Sequence, residues 1–433
     1  MRRILSFATL LVIGSTSLSF IVGCQNDIIA CDPLGCISEN NFGNNIVSAL
    51  KVSPGVTGYV VTVGAYPPKF GGNSNLTPVT AIVPDFQTMI ASVSKMLTTF
   101  AVLKSLANHN ISLDSSIFPY LYTDWQRVAG PNIQQLTFRD LLTHRSGFPV
   151  DEVNGQTTPN GCDGFNTGYS KLKSIIQANY APLPAGVQGV YSNCNFAIFR
   201  ELLPQMEGNN AINQTSDGFG GIVGGILSGF VPPSDLNPRA EQSAKFYIDY
   251  VNQNVLAPGL VSGTRSCSPT SNPLLQIWSY PPPPATTGAT NWGDQTLTCG
   301  GSGWNMSAGD LTFVFNALAK GSLLTPAQQA QLYSGSGSNY PGLGWDNTIG
   351  YCPGANQNGK TYYWCKKGNE HNPAGAAIET FAGMFKCNSV PVVVIVNSPT
   401  TQDITVIVTS AFNARSTQAN GIPQPCSNPR HQK

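Results

Sequence analysis

Ser92-Val93-Ser94-Lys95-Met96-Leu97-Thr98-Thr99-Phe100-Ala101-Val102-Leu103-Lys104-Ser105-Leu106-Ala107-Asn108 is the stretch around which the chain organises. Met96, Phe100, Leu103 and Leu106 recur at steps of three or four, which predicts a helix. Asn108-His109-Asn110 ends it. Its start carries a Ser-x-x-Lys tetrad, Ser92 to Lys95. Residues three apart share one helix face, so an amine stands beside a hydroxyl. The helix N-terminus adds unpaired backbone N–H groups and a partial positive charge. Those are the ingredients of an activated oxygen nucleophile with a base in reach and donors for a developing oxyanion. Alone the tetrad is a weak signal. A capping Ser and a solvated Lys are the commoner meaning of an isolated match, and Ser48 to Lys51 and Ser170 to Lys173 repeat the spacing.

Outward from this helix the pattern is mixed. Gly58 to Ala65 is a β-branched run of strand length. Residues 66–78 are rich in Pro, Gly and Asn and read as turns, while Thr80 to Val83 and Gln87 to Ile90 read as short strands. Thr137 to Thr143 starts a helix with a Thr cap and Asp140 in its first turns. Further helical patterns lie at 171–179, 196–206, 241–255, 308–319 and 325–333, with a closing helix at 401–414. Ile378 to Phe385 and Val390 to Val396 are late strands. Strands early and late with helices between predict an α+β domain whose sheet joins both chain ends. That domain is expected over 46–414, with surface excursions near 209–240 and 263–298 and a polar tail at 415–433.

The N-terminus reads as an export signal. Arg2 and Arg3 precede a largely apolar run from Ile4 to Gly23. The run ends in Ile21-Val22-Gly23-Cys24, which resembles the bacterial lipobox and implies that Cys24 is lipidated and becomes the mature N-terminus. An ordinary cleaved signal and an uncleaved anchor are the alternatives. Gln25 in place of Asp resembles the sorting pattern of an outer rather than an inner membrane. Residues 25–45 are polar and read as a tether. The chain has 11 Cys, an odd number; assigning Cys24 to lipid leaves an even set for disulfides in an oxidising compartment. Pairing sequence neighbours gives Cys31–Cys36, Cys162–Cys194, Cys267–Cys299, Cys352–Cys365 and Cys387–Cys426 as the expectation.

Charge removes other classes. A formal net charge of +1 with 10% charged residues argues against a nucleic-acid binder. A hydrophobic content of 41% argues against a disordered chain. No Cys-x-x-Cys or His-Glu-x-x-His occurs, and His109, His144, His371 and His431 are scattered, so no metal is expected.

The company of Ser92 raises its weight. Ala91 to Lys95 is followed by Ile111-Ser112-Leu113-Asp114 and Tyr120-Leu121, then by Leu136-Thr137-Phe138-Arg139-Asp140-Leu141-Leu142-Thr143-His144-Arg145-Ser146-Gly147-Phe148. Tyr191-Ser192-Asn193 and Gly303 to Asp310 come later. Over residues 55 to 414, and in the right order, these segments resemble serine β-lactamase-like and penicillin-binding-protein-like hydrolases. The likeness is to the class C β-lactamase, esterase and D-aminopeptidase branch in particular. The resemblance implies a β-lactamase/transpeptidase-like fold: an antiparallel sheet flanked by terminal helices, plus an inserted helical region. It implies Ser92 as nucleophile, Tyr191 as general base or acid with Lys95, Asn193 as the residue that orients Lys95 and substrate, and His144 as structural. A phenol ordinarily ionises near pH ~10, so Tyr191 needs neighbouring cations to serve as a base.

The third motif departs from the family's pattern. Lys-Thr-Gly or His-x-Gly is expected on an inner strand, and Trp364-Cys365-Lys366-Lys367-Gly368-Asn369 stands in its place. By resemblance Lys366 and Gly368 line the site, Lys367 replaces a hydroxyl, and the backbone N–H groups of Ser92 and Asn369 form the oxyanion hole. The missing hydroxyl puts recognition of a β-lactam carboxylate in doubt and tilts the reading toward an ester or a peptide. The activity implied is acyl transfer on an ester, amide or β-lactam carbonyl, without metal or organic cofactor. Its partners are a small-molecule or peptidoglycan-like substrate and a membrane reached through the lipid on Cys24, with no nucleic acid. The alternatives are a non-catalytic surface protein that keeps the fold for binding and a structural lipoprotein of unrelated fold.

Overall fold

Three long apolar runs and a helix from each end of the chain make the frame of the molecule. A computed structural model describes residues 28–32, 35–150, 152–153, 156–157, 161–162, 167–214, 238–282, 289–334, 342–346, 356–357, 360–361, 364–385 and 390–414. The main sheet contains β1 (Gly58–Val63), β2 (Lys69–Leu76), β3 (Val79–Ala81), β4 (Trp364–His371), β5 (Ala377–Phe385) and β6 (Val390–Val396). Their spatial order is β4-β5-β6-β1-β2-β3, and every pairing is antiparallel. The two ends of the chain meet where Val392 pairs with Val63 and Val396 with Tyr59. Residues of β1, β5 and β6 are buried throughout, because layers cover both faces of the sheet.

The principal helices are α1 (Glu39–Val52), α2 (Ser94–Asn108), α3 (Phe199–Met206), α4 (Pro238–Val251), α5 (Ala308–Ala319) and α6 (Ile404–Asn413). One face of the sheet meets the terminal pair: Phe42, Ile46 and Leu50 of α1 and Ile404, Ile407, Val408 and Phe412 of α6 pack on Val61, Phe381, Phe385 and Val394. The other face meets the larger helical body, in which α2 is the most deeply set. Its Met96, Leu97, Phe100, Val102 and Leu103 are all fully buried, and so are its Ser94, Lys95, Thr98, Thr99 and Ser105. The expected helices at 308–319 and 325–333 are observed as α5 and Pro326–Leu332, and the closing helix as α6.

Three expectations need correction. Residues 25–45 are not simply a tether. Ile28–Asp32 and Gly35–Ser38 form an antiparallel hairpin with Cys31 opposite Cys36, and α1 follows at once. Ser38 caps α1 by accepting from the Asn41 N–H. The polar residues of 39–45 lie on the outer side of a helix whose Phe42, Ile46 and Leu50 recur every four residues, so the domain begins before residue 46. Residues 66–78 are not all turn either, since Lys69–Leu76 is a strand. It lies toward one side of the sheet and most of it is partly exposed, which is why polar and small residues suit it. Gly71 lets the chain close on the Tyr59 ring, where a Cβ would stand 2.7 Å from the phenol oxygen. The 263–298 excursion is docked over its described residues. The Tyr280 N–H donates to Asn397 O, its hydroxyl meets Leu76 N and Asn75 Oδ1, and Cys267 is fully buried.

Cys162–Cys194 and Cys267–Cys299 are disulfides, as sequence proximity suggests. Cys365 is also disulfide-bonded. Cys352, Cys387 and Cys426 lie outside the described residues, as do the 1–24 signal with Cys24, the centre of the 209–240 insertion and the 415–433 tail. Phe42 sits edge-on to Phe385 and Phe412, with ring centroids 5.1 and 5.4 Å away. Phe42→Ala is expected to lower unfolding free energy by about 3–5 kcal/mol, read from the midpoint of urea denaturation. A change below about 1 kcal/mol would show that α1 is not part of the cooperative core.

Candidate active site

The site begins with a sharp change of direction. Thr88–Met89 pairs with Asn305–Met306, and the Ile90 N–H donates to Trp304 O at 2.8 Å. Ala91 then takes φ +44°, an uncommon value for a residue with a side chain, before a 3-10 turn over Ala91–Val93 feeds α2 at Ser94. Ser92 therefore sits in the tight turn before the α-helix, one step earlier than its spacing implies.

Lys95 is fully buried. Its Nζ donates to Ser92 Oγ at 2.9 Å, to Asn193 Oδ1 at 2.5 Å and to Gly301 O at 2.5 Å. Three acceptors match the three protons of an ammonium. Tyr191 stands on the other side of Ser92, with 2.6 Å between its hydroxyl and Ser92 Oγ. Two ammonium nitrogens face the Tyr191 ring, Lys95 Nζ at 4.9 Å and Lys366 Nζ at 5.2 Å from its centroid.

The Leu136–Phe148 segment shapes the loop that carries Tyr191. Thr137 and Asp140 form a capping box on the short helix Phe138–Leu142, and Arg139 grips Asp114 with two bonds of 2.6 and 2.9 Å. Arg145 donates to the carbonyls of Leu183, Pro184 and Val187, and the Val190 N–H donates to His144 O at 2.8 Å. His144, at φ +54°, stacks on the Tyr191 ring at 4.5 Å and takes the Ser192 N–H on Nδ1. Burial, then the charges of Lys366 and Lys95, hold its pKa well below the usual imidazole value. A neutral, packed His144 fits the expected structural role.

Disulfides reinforce two of the Lys95 contacts. Cys194 follows Asn193 directly and is bridged to Cys162; Cys299 lies two residues before Gly301 and is bridged to Cys267. The Gly303 to Asp310 segment does related work. Ser307 and Asp310 cap α5 reciprocally, and Asp310 holds Arg265 at 2.7 and 2.8 Å.

The third motif lies on β4, at one end of the sheet order. Strand alternation sends Lys366 and Gly368 to the α2 side and Cys365 and Lys367 to the α1/α6 side. Lys366 is fully buried, and its Nζ meets Asp346 Oδ1 at 2.5 Å. Lys367 instead pairs with Asp403, the cap residue of α6. This corrects the expectation that Lys367 takes a hydroxyl's place in the site: its side chain goes to the other face of the strand, to Asp403. Gly368 is required, because a Cβ there would lie 2.6 Å from Ile90 O and 3.0 Å from Ser92 N. The Lys367 N–H points away from β5, to Asp346 Oδ2 at 2.7 Å. Two residues on, Asn369 turns its N–H to the same free edge. Ser92 and Asn369 thus offer N–H groups from adjoining backbone.

The structure brings Ser92, Lys95, Tyr191, Asn193, Lys366, Gly368 and Asn369 into one locality. Two contributors have no sequence signal: the Gly301 carbonyl, which is backbone, and Asp346, one carboxylate after a Gly-rich run. The rival tetrads go elsewhere. Ser48 and Lys51 are exposed, and Lys173 pairs with Asp124 at 3.2 Å.

Residues 57–214 match the family model described as Beta-lactamase. A penicillin binding protein from Bacillus halodurans superposes with a TM-score of 0.57 at 16% identity, covering 86% of this chain and 99% of its own. The fold is β-lactamase/transpeptidase-like. A D-stereospecific amidohydrolase from Streptomyces sp. gives a TM-score of 0.57 at 17% identity, covering 88% of this chain and 100% of its own. A β-lactamase/D-alanine carboxypeptidase from Pseudomonas syringae gives 0.59 at 13% identity, covering 86% and 98%. At these identities the likeness is one of fold. No curated protein matches the chain. The β-lactamase-like segment contains Ser92, Lys95, Tyr191 and Asn193, whereas Gly301, Asp346 and Lys366 to Asn369 lie beyond residue 214.

Gly368→Ala tests the contact between the β4 edge and the Ser92 turn. Its methyl group meets Thr380 Oγ1 first, then Ile90 O at 2.6 Å and Ser92 N at 3.0 Å, and a shift of about 1 Å at a reacting atom costs about 10²-fold in rate. The reaction of Ser92 with a fluorophosphonate is expected to fall by that order while far-ultraviolet circular dichroism stays unchanged. An unaltered rate would refute the close approach.

Proposed function

We propose that the protein is a serine hydrolase that transfers an acyl group through Ser92. The observation that carries this reading is that Ser92 Oγ lies within hydrogen-bond reach of both Tyr191 OH, at 2.6 Å, and Lys95 Nζ, at 2.9 Å. Lys95 gives its protons to Ser92, Asn193 and Gly301, so in this arrangement it acts as a cation and not as the proton acceptor. Tyr191 is then the base. The two neighbouring ammonium groups favour its phenolate over its phenol.

In the forward step the Tyr191 phenolate takes the Ser92 proton as Oγ bonds to the substrate carbonyl carbon. The carbonyl oxygen gains the negative charge and meets the N–H groups of Ser92 and Asn369. The C–O or C–N bond breaks as Tyr191 returns the proton to the leaving group. Water repeats the sequence in reverse roles, Tyr191 taking its proton and returning one to Ser92 Oγ. Asn193 fixes Lys95 throughout.

The substrate reading follows from Lys367. Its ammonium is held by Asp403 behind the sheet, so it gives the site no donor for a substrate carboxylate. This favours an ester or a D-amino-acid amide or peptide over a β-lactam. The printed functions of structural neighbours, D-stereospecific amidohydrolase and D-amino acid amidase, are compatible with that class. Disulfides support an exported protein. With lipid on Cys24, the hydrolase works tethered to the cell envelope, on peptidoglycan-like or small-molecule substrates.

Intact-mass analysis of the oxidised soluble protein tests the reading with two probes, a fluorophosphonate and a fluorescent penicillin, beside Ser92→Ala. The expected result is a single fluorophosphonate adduct that disappears in Ser92→Ala, with slower or no penicillin adduct. A faster penicillin reaction would reverse the substrate preference. No adduct from either probe on folded protein would favour a binding protein that keeps the fold.

A further inference from the structure

Lys366 poses a physical problem that its motif does not solve. It is a cation with its side chain fully buried, and a buried amine without a counter-charge sheds its proton. Asp346, whose side chain is 7% exposed, supplies the counter-charge at 2.5 Å. Its second oxygen takes the Lys367 N–H at 2.7 Å, and its own N–H donates to Cys365 O at 2.9 Å. Asp346 therefore runs along the free edge of β4 as a short extra rung. The segment is itself pinned: Gly344 N donates to Leu142 O at 2.9 Å, and Trp345, fully buried, stacks on Tyr333 and meets Trp364 at a tilt.

We propose that Asp346 is a positioning residue that holds the Lys366 ammonium against the Tyr191 ring, so that Tyr191 can take the Ser92 proton. The inference rests on the acyl-transfer reading above and adds a residue to it. Among the described residues, the charged or titratable groups facing this point are Lys95 from α2, His144 from the turn after Phe138–Leu142, Tyr191 from its loop, Lys366 from β4 and Asp346 from the 342–346 segment. His144 is neutral, and Lys367 is paired with Asp403 on the opposite face. The Tyr191 ring thus stands before two cations, and Lys366 has Asp346 as its carboxylate partner.

The sign follows from the charges. A cation near a phenol lowers its pKa, and losing one raises it. If Asp346 is neutralised, the buried Lys366 ammonium loses its counter-charge and its anchor, and the Tyr191 phenolate loses the support of one of its two cations. The pH below which Ser92 stops reacting then moves upward. A residue that merely held the fold together would lower the rate equally at every pH.

The test is the second-order rate of Ser92 phosphonylation, by intact mass, between about pH 5 and about pH 10. Asp346→Asn and Lys366→Met are each expected to move the acid limb up by about one unit or more, a loss of roughly tenfold on that limb with recovery at alkaline pH. Asp346→Asn/Lys366→Met is expected to show no further shift, because one charge effect is being removed twice. Asp346→Glu is expected to return the limb part-way. If Asp346→Asn does not fold, the double variant removes the pair together and carries the test. A pH-independent loss in Asp346→Asn, a limb that moves down, additive shifts, or a double variant with the native limb would each overturn the proposal. If the native protein forms no Ser92 adduct, the acyl-transfer reading fails instead, so the two failures are told apart.

Discussion

A buried ammonium holds the site together. Lys95 has no exposed surface, and desolvating its charge costs several kcal/mol unless partners replace the lost water. The partners come from three distant parts of the chain: the Ser92 turn, the Asn193 loop and the Gly301 carbonyl. None is optional, because an unpaired buried cation would oppose folding. The neighbouring groups maintain that convergence. Thr98, one turn beyond Lys95, donates to Gly300 O at 2.7 Å. Arg200, itself buried, spans Cys299 O at 2.8 Å and Thr167 O at 2.9 Å. The Cys162–Cys194 and Cys267–Cys299 disulfides each end within two residues of a Lys95 acceptor.

The sheet supplies the second constraint. One end of it is β4, and the alternation of side chains along that strand decides which of two adjacent lysines takes part. Lys366 goes inward, to Asp346 and the Tyr191 ring; Lys367 goes outward, to the first turn of α6. A motif that looks doubly basic in one dimension is singly basic at the site. Gly368 on this strand leaves room for its backbone to approach that of Ile90 and Ser92.

Much of this was legible beforehand. The period of Met96, Phe100, Leu103 and Leu106 identified the central helix, and the order of the short motifs located Ser92, Lys95, Tyr191 and Asn193. The apolar runs at 378–385 and 390–396 signalled strands buried on both faces. Other parts were hidden for physical reasons. The polar outer side of α1 masked Phe42, Ile46 and Leu50, so 39–45 read as a tether. β2 resembled a turn because a partly exposed strand tolerates Gly and Asn. The excursion at 263–298 looked solvated, yet Tyr280 fastens it to β2 and to the end of β6. Gly301 acts through its carbonyl, which no side-chain motif records. Asp346 matters only because the fold sets it at the open edge of β4.

The most direct test of the account is a crystal structure of the protein after reaction with a fluorophosphonate. The account predicts phosphorus bonded to Ser92 Oγ and the phosphoryl oxygen between the N–H groups of Ser92 and Asn369. It also predicts that Lys95 keeps its contacts to Asn193 and Gly301. An adduct on another residue, or a phosphoryl oxygen turned away from both N–H groups, would contradict it.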